Sequence, residues 1–110
     1  MDGCTAGGEV ICSASGIETW VGGLVGNMGN ATNETGYGCI VNCKITVASY
    51  DPQCMGMVVG HYNGTTKPIT LGSQSSPIQV SGSINGTPAS DSNIYGTAND
   101  LNHTIYYVIN

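Results

Sequence analysis

The sequence predicts an all-β fold, a β-solenoid (β-helix-like) stack of glycine-cornered coils, and three observations lead there. The first is a repeat. Gly22-Gly23-Leu24-Val25-Gly26 returns as Gly56-Met57-Val58-Val59-Gly60, 34 positions on (56 − 22), and a period of that size is the signature of stacked supersecondary units. The second is a set of short runs rich in β-branched residues, each bounded by Gly, Pro, Asn or Ser. The third is the lack of any apolar stripe at i, i+3, i+4 spacing in a chain with 17 glycines. Each glycine inside a helix would cost about 1 kcal/mol relative to alanine.

Taken in order, residues 1–16 read as the tail of a preceding copy. At the 34-residue offset Ile11 meets Ile45, Ala14 meets Ala48, Ser15 meets Ser49 and Thr32 meets Thr66. Residues 20–26 form the first strand-length apolar run, and Asn27-Met28-Gly29 turns the chain. A polar linker over 30–37 follows. Cys39–Val47 (CIVNCKITV) is rich in β-branched residues, as are Met57–Val59, Ile78–Val80 and Thr104–Ile109, and the second copy is closed by His61-Tyr62-Asn63-Gly64. Pro77–Val80 and Gly82–Gly86 form a weaker strand pair, read as the next turn of the pattern. From Thr87 onward the repeat is lost, so a single module over 1–110 divides into coils over 1–86 and a capping segment with a strand over 87–110. Leu24, Val25, Val58 and Val59 are expected to stack in the core. The glycines beside them suit corners, where positive φ and close backbone approach are needed.

The segments VGGLVGNMG, GYGCIVNCKITV, GMVVGHYNG and IQVSGSING resemble the GLUG-type repeat of bacterial and protist surface proteins. Residues 20–30, 38–47 and 55–64 carry the resemblance, which covers about two thirds of the chain. Met57 departs from it, standing where the repeat has its second glycine. The resemblance implies a right-handed β-helix-like stack within a larger secreted or surface-anchored, adhesin-like protein.

Other readings of the glycine segment explain less. A dinucleotide fingerprint needs G-x-G-x-x-G, and Gly36-x-Gly38 is followed by Val41 where the third glycine belongs. A Walker loop needs a lysine that residues 22–29 lack. G-x-x-x-G as a membrane dimer face needs an apolar host of about 20 residues, longer than any run here.

Composition narrows the function classes. Charged residues are 8% of the chain and the net charge is −5, with Lys44 and Lys67 the only cationic side chains besides histidine. Binding nucleic acid requires clustered Lys and Arg, so no nucleic-acid partner is expected. A polybasic membrane-surface mode fails for the same reason, and membrane insertion is not expected either. Met1-Asp2-Gly3-Cys4 has neither the basic start nor the apolar core of a signal peptide. A cytosolic protein and a mature or excised extracellular chain both fit that start; the sequons and cysteines favour an extracellular or cell-surface location.

Cys4, Cys12, Cys39, Cys43 and Cys54 all fall in the first half. A disulfide framework and plain buried thiols both remain open. Cys39 and Cys43 share a strand face, and Cys12 and Cys54 are expected in neighbouring coils near disulfide distance. An odd count leaves one thiol over. Zinc on Cys39, Cys43, Cys54 and His61 has suitable ligand types but spacing unlike the usual sites, and no metal or cofactor is expected. Five N-x-T sequons stand at Asn30, Asn33, Asn63, Asn85 and Asn102, against about one by chance on the acceptor rule. Glycosylation there would place these turns on the surface of a secreted protein.

Catalytic patterns are thin. Asp2, Glu9, Glu18, Glu34, Asp51, Asp91 and Asp100 are scattered, whereas a glycosidase needs two carboxyls across a cleft. His61 and His103 lack a nucleophile in a recognisable elbow. Asp91-x-Asn93 and Asp100-x-Asn102 lack the glycine and distal glutamate of a calcium loop. The terminal strand HTIYYVIN has two apolar faces, and either closes this module's own sheet or enters a neighbouring subunit by strand addition. The expectation is a non-enzymatic structural or adhesive module whose partners are neighbouring repeats or like subunits, with host or matrix glycans possible ligands. A carbohydrate-binding module using Trp20, Tyr37, Tyr50 or Tyr62, and a filament built by strand exchange, are the alternatives.

Overall fold

Residues 40–47 alternate between interior and solvent along their whole length. Val41, Cys43, Ile45 and Val47 point inward, while Asn42, Lys44 and Thr46 face water, as a period-two pattern dictates. A computed structural model describes residues 3–13, 19–29, 34–35, 37–63, 69–98 and 103–110. Among these residues it contains strands and no helix.

In chain order the strands are β1 (Thr5–Cys12), β2 (Val21–Gly22), β3 (Val25–Gly29), β4 (Glu34–Thr35), β5 (Ile40–Val47), β6 (Met55–Gly56) and β7 (Val59–Asn63). They continue as β8 (Ile69–Leu71), β9 (Ile78–Ile84), β10 (Thr87–Pro88), β11 (Tyr95–Ala98), β12 (His103–Ile105) and β13 (Tyr107–Ile109).

Apart from β10, strands pair in parallel with the strand four places along the chain. The ladders are β1–β5–β9–β13, β2–β6, β3–β7–β11 and β4–β8–β12. The protein is therefore all-β with parallel sheets. The repeated glycine segments lie side by side: Val21 opposes Met55, Gly22 opposes Gly56 and Val25 opposes Val59. Gly23 and Leu24 N–H groups donate to the Met57 and Val58 carbonyls at 3.0 Å each. Val58 and Val59 are fully buried, while Leu24 and Val25 are half-buried against the same core.

The core runs between the ladders and is built from stacked columns. Ala6, Val41 and Val80 form one; Val10, Ile45 and Ile84 form another. Met57, Leu71, Ile78 and Ile94 fill the middle. Full burial of each aliphatic side chain contributes about 1.5–3 kcal/mol, and a layer buries its inner face only because its neighbours cover it.

The structure differs from the sequence reading at several points. The offset is 34 for β3 and β7 (59 − 25) but 35 for β1 and β5 (45 − 10), so Val10, not Ile11, opposes Ile45. Ile11 faces out and is 69% exposed. The matches at Ala14, Ser15 and Thr32 lie outside the described residues. The expected strand pair at Pro77–Gly86 is one strand, β9, that runs through Gly82 into a two-residue Asn85-Gly86 turn. Both turn residues have positive φ, 49° and 82°, as a primed hairpin turn requires, and β10 folds back antiparallel on β9.

Beyond Thr87 the ladders continue. Met57 and Val58 N–H groups donate to the Asn93 and Ile94 carbonyls at 2.7 and 2.9 Å, and Tyr95 opposes Val59. Residues 92–96 (SNIYG) are thus a third copy of the glycine segment, at an offset of 36 (95 − 59). The terminal HTIYYVIN is not one strand. It breaks at Tyr106 into β12, which lies on β8, and β13, which lies on β9. Its faces are not both covered, for Val108 is 48% exposed and Ile109 37%.

Candidate functional site

Two hollows at the corners gather polar and aromatic groups. One corner joins β5 to β6. Asp51 organises it as a turn: its Oδ1 accepts from Gln53 N–H at 2.9 Å and its carbonyl from Cys54 N–H at 3.0 Å. The Cys54 thiol donates to Asp51 Oδ2 at 3.5 Å. Burial, that hydrogen bond and the carboxylate's charge push the thiol up from its ordinary value.

Beside this corner Tyr50, Ile84, Asn85, Thr87, Ser92 and Asn93 line a hollow of about 140 Å³. Asn85 Oδ1 accepts from Val47 N–H at 2.9 Å, tying the hairpin turn to the end of β5. Asn93 is buried, but its side chain is satisfied: Oδ1 accepts from Ser90 N–H at 2.9 Å and Nδ2 donates to the Pro88 carbonyl at 3.1 Å.

A second hollow, about 280 Å³ and open to solvent, lies between the turn that joins β8 to β9 and the bend between β12 and β13. Pro77, Ile105 and Tyr107 line it, with Tyr106, Ser73 and Gln74 among the groups presented to an incoming molecule. Tyr106 is 40% exposed, and its backbone is pinned on both sides, accepting from Ile78 N–H at 2.9 Å and donating to the Leu71 carbonyl at 2.8 Å. The Tyr107 hydroxyl donates to Asp91 Oδ1 at 2.7 Å. That bond, then burial, then the carboxylate's charge push Tyr107 up to about 12.

The aromatic residues singled out from the sequence do not share one platform. Trp20 stacks on His61 with ring centroids 5.2 Å apart and planes 11° from parallel; His61 Nδ1 is buried with no hydrogen-bond partner. Tyr37 is half-buried and its carbonyl receives Gly3 N–H at 2.9 Å. Tyr50 lines the smaller hollow, and the side chain of Tyr62 lies outside the described residues. Nothing in the sequence singles out Tyr106, because HTIYYVIN reads as one continuous strand and the break at Tyr106 shows only in the pairing of β12 and β13.

The five cysteines carry no disulfide in the structure. Cys39 and Cys43 do share the inner face of one ladder, both buried. Burial pushes Cys43 up, and its Sγ lies 3.9 Å from the Gly23 carbonyl. Cys12 and Cys54 are not stacked: Cys12 opposes Val47, while Cys54 precedes β6 on another ladder. Among the described residues no three metal-binding side chains converge, so Cys39, Cys43, Cys54 and His61 do not form a site. A thiol pushed up is a poor nucleophile near neutral pH.

Of the sequon asparagines, Asn85 is exposed at its turn and Asn63 ends β7 opposite Gly29. Asn30, Asn33 and Asn102 lie outside the described residues, as do Asp2, Glu18 and Asp100.

No protein family, no curated protein and no solved structure matches the chain. No helix among the described residues is long and apolar enough to cross a membrane.

Proposed function

We propose that the four ladders are the sides of a β-solenoid, and that the chain is a non-enzymatic structural or adhesive module of a secreted, glycosylated surface protein or extracellular fibre. The observation that carries this reading is the register: Val21 with Met55, Val25 with Val59 and Val59 with Tyr95 stack successive copies of one segment edge to edge. Such a stack is stiff because each layer is hydrogen-bonded and packed to the next. The GLUG-like motifs and the five sequons support the extracellular assignment, and sugar on polar turns would keep a chain with 8% charged residues in solution. Neighbouring repeats or like subunits are the natural partners.

The test is the mass of protein from its native source before and after enzymatic removal of N-linked sugar. A mass that falls on treatment, with Asn85 among the modified positions, is the expected result. Unmodified asparagine at every sequon would overturn the secreted, glycosylated reading.

The open hollow beneath Tyr106 favours a second reading as a carbohydrate-binding module. An exposed ring beside hydroxyl and amide groups from Ser73 and Gln74 suits a sugar's apolar face and its hydroxyls. Tyr106→Ala would then abolish binding on a glycan array, and a blank array with the unaltered protein removes the idea.

A further inference from the structure

We propose that Cys4 and Cys39 are a redox-closable staple joining the first two strands of the longest ladder. The register places them against each other. Thr5 opposes Ile40, so the residues just before them are also partners, and Ile40 N–H donates to the Cys4 carbonyl at 2.8 Å.

The local backbone repeats as well. Gly3-Cys4 and Gly38-Cys39 are the same dipeptide, and their glycines share one left-handed conformation, φ 66° and 65°. Gly3 N–H donates to the Tyr37 carbonyl at 2.9 Å and Gly38 N–H to the Ser76 carbonyl at 3.1 Å. The two cysteines therefore leave equivalent turns in successive layers. Adjacent strands lie about 4.8 Å apart, within the Cα separation of about 4.4–6.8 Å that a disulfide spans. Cys4 and Cys39 stand two residues ahead of Ala6 and Val41; Cys39 is fully buried, whereas Cys4 leads into β1, the edge strand of its sheet, and is exposed.

No other pair has this relation. Cys12 opposes Val47, and Cys43 sits between Gly8 and Gly82. Cys54 precedes β6, on a different ladder.

Cys4 is exposed and is the entry point. Its thiolate attacks a low-molecular-weight disulfide such as oxidised glutathione, forming a mixed disulfide and releasing one glutathione thiolate. Cys39, as thiolate, then attacks Cys4 Sγ and expels the second. The protein loses two electrons and two protons, and one glutathione disulfide becomes two thiols. The pairing follows from register alone and does not depend on the proposed function.

The experiment equilibrates the folded, reduced protein in glutathione buffers of increasing oxidation, stops exchange with acid, unfolds and alkylates the free thiols, Cys39 and Cys43 being buried in the folded state, and maps the linked fragments by mass. The expected result is a fall from five alkylated cysteines to three, a mass lower by about 2 Da before alkylation, and a linked fragment pair containing Cys4 and Cys39. Cys4→Ser, at an exposed position, retains four alkylated cysteines under the same conditions, and Cys39→Ala does likewise. In urea the register is gone, and pairs close in sequence, such as Cys39 with Cys43, are expected instead because short loops close most readily. A different linked pair in the folded protein, or five alkylated cysteines in the most oxidising buffer, would overturn the proposal.

Discussion

Gly60 stands in a column of three glycines, between Gly26 above and Gly96 below, and each has a neighbour's backbone pressed against it. A methyl group at Gly60 would lie 2.6 Å from the Gly26 carbonyl oxygen, 2.7 Å from that of Cys54 and 2.8 Å from Val21 N. These are backbone atoms of the adjacent layer and the preceding corner, and they cannot swing aside. Gly60→Ala is expected to destabilise by about 1–3 kcal/mol or more, read as a lower urea midpoint. Gly7 is the control. Its Cβ would meet only the Asn42 carbonyl, at 3.7 Å, so Gly7→Ala should be neutral or gain up to about 1 kcal/mol through a less flexible unfolded chain. Equal losses for the two would show that the column is not tightly packed. The same contacts explain what the sequence disclosed. Gly22 and Gly56 stood out because both are pressed, first by the carbonyl of the valine three residues on in their own copy (Val25, Val59) and, at Gly56, also by Tyr95 and Ile94 of the third copy. Ser92 takes that place in the third copy and is exposed, so the constraint that keeps glycine there is relaxed and the motif fades although the fold continues.

Among the strands, β5 alone of the long ladder's first two has partners on both edges along nearly its whole length, with β1 on one side and β9 on the other. Its amides are therefore expected to exchange with deuterium most slowly, and those of β1 and β13 faster. Protection in β1 equal to that in β5 would contradict this order. Its strand character was plain in the sequence because β-branched Ile40, Val41, Ile45, Thr46 and Val47 crowd one short run. The carboxyl-terminal segment was not, because its break at Tyr106 is set by which older strands it lands on, and no local residue marks it. The tether from Tyr107 to Asp91 holds β13 to the turn after β10. Tyrosine ordinarily titrates near pH 10, and here the folded protein holds the proton up to about 12. Stability from this bond is complete below about pH 10 and is lost as pH rises through about 12. Tyr107→Phe should abolish that dependence; an unchanged pH profile in the variant would show that the tether contributes nothing.

For the molecule as a whole, nearly every strand pairing joins residues more than thirty positions apart, from 34 at Val21 and Met55 to 39 at Ile40 and Gln79. Long loops must close before any pairing is rewarded, so refolding should take milliseconds to seconds or longer, measured by fluorescence of Trp20 after dilution from urea. A microsecond phase carrying the full amplitude would contradict it. All-β class and the interval of the repeat were legible from glycine spacing and β-branched runs. The number of ladders was not, because the offset between parallel partners drifts from 29 (Ile78 and Tyr107) to 39 (Ile40 and Gln79) as the corners change in length, and a single fixed period dissolves the alignment.

That drift has an evolutionary consequence. Since corners absorb length while strands keep their mates, the gene can gain or lose material harmlessly in two ways: a residue or so at a bend, or a whole storey copied between equivalent bends. An odd residue inserted within β5 would instead turn every side chain beyond it inside out. Natural variants of this chain should therefore differ in size by a residue or so at a bend or by a whole repeat, and not by odd insertions within a strand.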